Sequence, residues 1–346
     1  MRRMVSRYEH KLGVHCVSTQ ISDILNRQGL QVEEELCFGI GAGLGFVYDE
    51  AFDPPLYFVQ GRADDLEEKA CFNLGGHAVP YTTDDPALAW ESVKRLIDND
   101  EPVIIDVDAT YLPYLKRRFR LFGDVGYGGH RITVIGYDDS ADTVLLSDYL
   151  WREAQEVPAK SLMLARGSPA GKMPPGNLFY SFLFPRKFRS LSDAIRRGIR
   201  MNVATMMHPW SDSMGLPALK RFTARVLDWP RLMSPDILAK NARMAFIMLE
   251  VFGTGGGNFR RLYARFLHEA MNYIGGPHLE AAFQAYAQSS DLWKELSLGM
   301  KEAAEDPTRG FFAAAGARSL LDAILTAEVK GIGELGEIAA ETRLSS

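Results

Sequence analysis

Val17, Ile21, Ile24 and Leu25 recur at helical spacing and predict a short amphipathic helix over residues 17–28, ended by Gly29. Residues 44–49 and 55–61 read as strands about a turn at Asp53, Pro54 and Pro55. Helical spacing returns at 63–72 and 85–98, and the apolar run 102–108 has the character of a buried strand. Residues 131–139 and 142–150 predict a hairpin with Asp138, Asp139 and Ser140 in its turn, and 178–184 is a further strand. This mixture predicts an α+β domain with an antiparallel sheet. After Pro185 only helical periodicity remains, broken by Pro209, Pro217, Pro230, Pro235, the glycines of 253–257, Gly275-Gly276-Pro277 and Pro307. A boundary near 185–190 follows, with a mixed domain at 1–187 and an all-α domain at 188–346.

Composition changes this picture little. A length of 346 residues fits two domains at roughly 100–200 residues each. With 47% hydrophobic and 24% charged residues, the chain can bury a sizeable core, and disorder is not expected. A net charge of −5 argues against nucleic acid as the main partner, since phosphate binding needs a surplus of Lys and Arg. The three cysteines are Cys16, Cys37 and Cys71; the odd count, without a CxxC pair, suggests free thiols in a reducing compartment and no zinc. The start of the chain lacks a secretory apolar segment, and no run of about 18 apolar residues occurs. A cytoplasmic protein with no membrane span is the expectation. His77, His208, His268 and His278 show no metal-binding spacing, so no metal is expected.

Cys16 stands directly before the first helix, where free N–H groups and the helix dipole favour a thiolate. A small core residue or a simple cap would occupy the same position. His130 follows Gly128-Gly129 at the start of a strand, which would leave an imidazole accessible as a base; structural histidines also occur there. Asp148 ends the next strand, and an antiparallel pairing would bring it beside His130 to hold the second ring nitrogen. Asp138 and Asp139 compete for that role but belong to the hairpin tip. Gly39, Gly41, Gly43 and Gly45 alternate without forming GxGxxG, so they read as a tight turn and not as a nucleotide loop. Glu34 reads as a solvated acid, an amine-binding carboxylate or an anchor for that turn. Arg62 reads as an ion-pair partner or a phosphate ligand. The glycines of 253–257 with Arg260 and Arg261 are an anion site or an ordinary interhelical loop. Lys116, Arg117, Arg118 and Arg120 form the strongest basic cluster, a docking patch for an acidic partner or a solvated face.

Taken in order, His15-Cys16-x-Ser18, Glu34, Cys37-Phe38-Gly39-Ile40-Gly41-Ala42-Gly43-Leu44-Gly45-Phe46, Gly61-Arg62 and His130 with Val134-Ile135-Gly136-Tyr137-Asp138 resemble the butirosin biosynthesis protein H N-terminal family. Gly253-Thr254-Gly255-Gly256, Arg260, Leu262-Tyr263, Phe266-Leu267 and Glu269-Ala270 resemble the helical domain usually appended to it. The resemblance implies a papain-like cysteine-protease fold carrying an acyltransferase. An acyl group would pass from the thioester of an acyl carrier protein, through Cys16, to a small-molecule amine in natural product biosynthesis. It implies no resident cofactor, the 4′-phosphopantetheine arm belonging to the carrier. Cys16, His130 and Asp148 are the expected triad. His10 stands where papain-like enzymes have a glutamine and is the expected second oxyanion donor. Glu34, Gly41, Gly43, Arg62 and Tyr127 are the expected substrate-binding set, and a homodimer is among the expected assemblies. A cysteine hydrolase, or an idle binding protein on the same fold, are the rival readings.

Overall fold

The computed structural model describes residues 2–118, 126–169 and 171–341. It contains two compact units, Met1–Glu34 with Gly75–Phe188 and Glu35–Leu74 with Arg189–Ser346. This differs from the expected division at 187/188, because Glu35–Leu74 belongs with the helical unit.

In chain order the first elements are β1 (Arg2–Met4), α1 (Cys16–Arg27), α2 (Glu34–Ile40), β2 (Leu44–Asp53), β3 (Leu56–Arg62) and α3 (Leu66–Leu74). Then come β4 (His77–Tyr81), α4 (Pro86–Asp98), β5 (Val103–Val107), β6 (His130–Asp138), β7 (Thr143–Ser147), β8 (Gln155–Pro158), α5 (Ala159–Arg166) and β9 (Phe179–Leu183). The helices α6 (Leu191–Met207), α7 (Gly215–Arg225), α8 (Trp229–Leu232), α9 (Pro235–Phe246), α10 (Arg260–Ala270), α11 (Pro277–Glu305) and α12 (Ala317–Glu341) complete the described chain.

The first unit is a seven-stranded antiparallel sheet in the order β4-β9-β5-β6-β7-β8, with β1 alongside β6. β5 pairs with residues 130–134 of β6, and β1 continues that edge at 136–138. A Cβ at Gly136 would stand 2.7 Å from the Arg3 carbonyl, so glycine is what allows β1 to close on β6. All five residues of β5 and most of β6 are buried, the near-continuous apolar pattern of strands covered on both faces. α1 supplies part of that cover through Val17, Ile21, Ile24 and Leu25, each almost wholly buried. Its register was legible in the sequence. β1, β4, β8, α2 and α5 were not anticipated.

The described elements from Leu191 onward are all helical, as expected of 188–346, but the unit that holds them also takes in Glu35–Leu74. It includes the two-stranded sheet β2-β3. Arg260 of α10 explains why this hairpin joins the helices: its Nη1 donates to the carbonyls of Gly45, Gly61 and Asn258 at 2.9, 2.6 and 2.9 Å. The rest of the guanidinium makes a two-point pair with Glu328 of α12, at 2.6 and 3.1 Å, with both side chains fully buried. Glu328 also accepts from Ser289 and Trp293 at 2.7 and 2.9 Å. Gly39 completes the join, since a Cβ there would fall 2.1 Å from the Phe266 ring. Among the described residues, no helix is long and apolar enough to cross a membrane.

Candidate active site

α1 begins at Cys16 because the residues before it cannot continue as helix. His15 is extended (φ −133°, ψ 127°) and its Nδ1 accepts from the Ser18 N–H, an N-cap made by an imidazole. The approach to the helix is clamped from two sides. The Gly13 N–H donates to the Tyr149 carbonyl at 3.1 Å. The Glu34 carboxylate accepts from the Val14 N–H at 3.0 and 3.1 Å, the His15 N–H at 3.3 Å and the Thr19 hydroxyl at 2.7 Å. A Cβ at Gly13 would lie 2.0 Å from Thr19 Oγ1, so the clamp closes only over glycine. Residues Val17 to Leu25 are buried throughout, while Cys16 at the helix tip stays half-exposed.

His130 opens β6 and is 3% exposed. Its Nε2 lies 2.9 Å from Oδ2 of Asp148, which is wholly buried just past the end of β7. Antiparallel register brings the two together, with Thr133 opposite Ser147. A carboxylate only accepts, so Nε2 carries the proton and Nδ1 is left for another partner. Cys16 is near enough to His130 to act on the imidazole through its side chain and charge. Asp148 is itself held, by Tyr114 Oη at 3.0 Å and by the Leu150 N–H at 3.2 Å. Trp151 packs edge-on against Tyr114, with centroids 6.1 Å apart.

Burial alone would push the His130 imidazole down, but the charge and hydrogen bond of Asp148, with Cys16 adding to them, hold it well above the usual histidine range. Asp148 shows the converse. Burial would raise it, and the His130 charge with the bonds from His130, Leu150 and Tyr114 keeps it below the usual carboxylate range. The pair therefore carries charge near neutral pH, with the proton on the imidazole. Tyr114 is pushed well above the usual phenol range by burial and by Asp148, so it remains a donor.

The two glycines before His130 have different duties. A Cβ at Gly128 would stand 1.9 Å from the Met173 carbonyl, and Gly129 adopts φ +88°. Asp108 fixes the residue before them by accepting from the Tyr127 N–H at 3.0 Å, together with Thr110 and Ser168. Burial tends to raise Asp108, but those donors lower it, so it stays an anion.

The expected oxyanion role of His10 is not supported. Its Nδ1 is 2.6 Å from Ser147 Oγ and its Nε2 is 2.6 Å from the Trp151 carbonyl, so neither nitrogen is left for a substrate. Gln20 is also committed, accepting from Thr133 and donating to the Ser147 carbonyl. Glu34 is half-buried and holds the approach to Cys16. Tyr127 is half-buried beside this site, near enough to act on the Tyr149 hydroxyl. Gly41, Gly43 and Arg62 belong to the other unit, and the first two are filled by packing. A Cβ at Gly41 would meet Leu66 at 2.7 Å, and one at Gly43 would meet the Phe38 ring at 2.6 Å, which leaves no room there for a ligand. Arg62 donates to the Ala63 carbonyl at 3.2 Å and lies 3.6 Å from Asp64.

The anion-site reading of the glycines of 253–257 also falls. Arg260 is spent on Glu328, and the Gly257 N–H already donates to the Glu250 carboxylate at 2.7 Å. Lys116, Arg117 and Arg118 are exposed, and Arg120 lies outside the described residues. Sequence reasoning missed Gly13, Asp108, Tyr114 and Tyr149. Only Gly13, a glycine just before a helix, and Tyr149, next to Asp148, carried any local signal.

Residues 15–149 match the family model described as Butirosin biosynthesis protein H, N-terminal. The match opens one residue before Cys16 and closes one residue after Asp148, so it spans the whole constellation. Residues 160–335 match a second model, described as Domain of unknown function (DUF4872). No curated protein matches the chain.

Proposed function

The chain belongs to the butirosin biosynthesis protein H N-terminal family, joined to a DUF4872 domain, and from that premise we propose that it is a biosynthetic cysteine acyltransferase on a papain-like fold. The observation that carries this reading is the 2.9 Å contact of His130 with Asp148, with Cys16 near enough to act on the same imidazole. A nucleophile, a base and a group that orients the base are the parts an acyl-enzyme reaction needs. The chain order also supports it: sulfur on the first helix, imidazole on a central strand, carboxylate after the next strand. The family, named for a protein of butirosin biosynthesis, supports a biosynthetic transfer over hydrolysis.

The reaction has two halves. In the first, the Cys16 sulfur uses a lone pair to attack the carbonyl carbon of an acyl thioester, while its proton resides on His130. The tetrahedral oxyanion collapses, the carbon–sulfur bond to the carrier breaks, and the leaving thiolate takes the proton from His130. In the second, an amine attacks the Cys16 thioester, His130 takes a proton from the amine nitrogen, and the amide leaves as the proton returns to Cys16. Sulfur replaces sulfur in the first half, which is near balance. The amide makes the second half downhill. Transfer wins over hydrolysis when the amine is held in place and water is kept out.

The donor in this proposal is a 4′-phosphopantetheine thioester on an acyl carrier protein. The exposed Lys116, Arg117 and Arg118 suit an acidic carrier surface. No resident cofactor is required. The test is intact mass after incubation with an N-acetylcysteamine acyl thioester. Wild type should gain one acyl group and lose it to an added amine as amide. Cys16→Ala should gain none, and His130→Ala should gain it far more slowly. Label that persists in Cys16→Ala would refute the assignment, and rapid release of free acid that amines do not divert would point to a hydrolase.

A further inference from the structure

An acyl transfer through Cys16 develops negative charge on the carbonyl oxygen and needs donors aimed at it. The N–H of Cys16 is one, because the first N–H groups of a helix have no partner within it. The second is missing: His10 and Gln20, the side chains of suitable type near α1, are both engaged elsewhere.

Tyr149 meets the requirement. It follows Asp148 directly, and its carbonyl accepts from Gly13, which ties it to the segment that leads into Cys16. Its ring centroid is 6.0 Å from that of His130, at 52°. Its side chain is largely buried, yet no described residue hydrogen-bonds its hydroxyl. A hydroxyl with no partner among the described residues is available to donate to a group that arrives with the reaction. After burial, the charges of Cys16 and Asp148 act most on that hydroxyl, in keeping with the ring's place beside His130. Burial and these neighbours push the phenol well above its usual range, so it keeps its proton and serves as a donor.

We propose that the Tyr149 hydroxyl is the second oxyanion donor of this site, opposite the N–H of Cys16. The inference rests on the acyltransferase reading above. As Cys16 sulfur bonds to the carbonyl carbon, the carbon–oxygen π pair moves onto oxygen, and the hydroxyl donates a hydrogen bond to it. No proton is transferred. Collapse returns the pair to the carbonyl and expels the thiolate, which is protonated by His130.

The experiment compares full-length wild type with Tyr149→Phe in two reactions of Cys16. One is acylation by an N-acetylcysteamine acetyl thioester, followed by intact mass. The other is alkylation by iodoacetamide, a displacement at a saturated carbon that forms no oxyanion. Tyr149→Phe should slow acylation by about 10²–10³-fold, the loss typical of one oxyanion donor. Its alkylation should stay within about twofold, since the thiolate is untouched. The thermal midpoint should not fall, because the lost hydroxyl has no protein partner. Equal slowing of both reactions would overturn the inference, as would unimpaired acylation. If wild-type Cys16 alkylates but accepts no acyl group, the acyltransferase reading itself fails, and the inference with it; that result is seen in wild type alone.

Discussion

Removing the Glu34 carboxylate should loosen the approach to the nucleophile. That carboxylate is the acceptor for the Val14 and His15 N–H groups and for the Thr19 hydroxyl. In Glu34→Ala, Thr19 keeps its bond to the His15 carbonyl at 2.7 Å, so the loss falls on two backbone donors. A hydrogen bond to a charged acceptor contributes about 1.5–3 kcal/mol, and Glu34 is only half-buried, so water recovers part of it. The opening free energy of this segment should therefore drop by about 2–4 kcal/mol. At about 1.4 kcal/mol per tenfold, amide exchange at residues 14 and 15 should accelerate by roughly 30- to 1,000-fold, read by hydrogen–deuterium exchange of the peptide that covers them. Misplacing a reacting atom by about 1 Å can cost about 100-fold, so Cys16 acylation should slow by roughly 10–100-fold. Glu34→Gln keeps one acceptor oxygen and should fall between. Exchange within about threefold of wild type in Glu34→Ala, with only the KM for the amine raised, would refute this reasoning and return Glu34 to substrate binding.

Asp148→Asn should lower Cys16 acylation by about 10³–10⁴-fold, as loss of the orienting carboxylate does in other triads, and an imidazole NMR titration should find His130 losing its proton at lower pH than in wild type. His130 is raised from 6.5, so its contribution to stability is fully present below pH 6.5 and is lost as pH climbs through the raised value; Asp148 is lowered from 3.8, so its contribution is present above pH 3.8 and is lost as pH falls through the lowered value. The difference in thermal midpoint between wild type and Asp148→Asn should thus peak between those two values, and a difference that keeps growing above pH 6.5 would contradict the pairing. Arg260→Met should destabilise the second unit by about 3–5 kcal/mol in chemical denaturation, since it strands the buried Glu328 carboxylate, and the double variant with Glu328→Leu should regain part of that.

The period of apolar positions, the turn residues and the helix stop are local, and they made α1, the β6–β7 hairpin and the helical run after Pro185 legible. They also placed Cys16, His130 and Asp148 at element ends where antiparallel pairing brings such groups together. α2 was missed because Gly39 lies within it, a poor helix former whose place there is set by the Phe266 ring of α10. The hairpin β2-β3 was assigned to the wrong unit because its partner, Arg260, stands far along the chain. Both nitrogens of His10 were available in sequence and both are spent in space.

What the amino-acid order determined alone was which residues could do chemistry and on which kinds of element they stand, because backbone preference and amphipathic period act over a few positions. Which donor meets which acceptor was decided only by tertiary structure. Glu34 closing on Val14 and His15, Tyr114 on Asp148 and Tyr149 beside His130 depend on contacts among residues distant in sequence, and a hydrogen bond is set by distance and direction, which residue type does not encode.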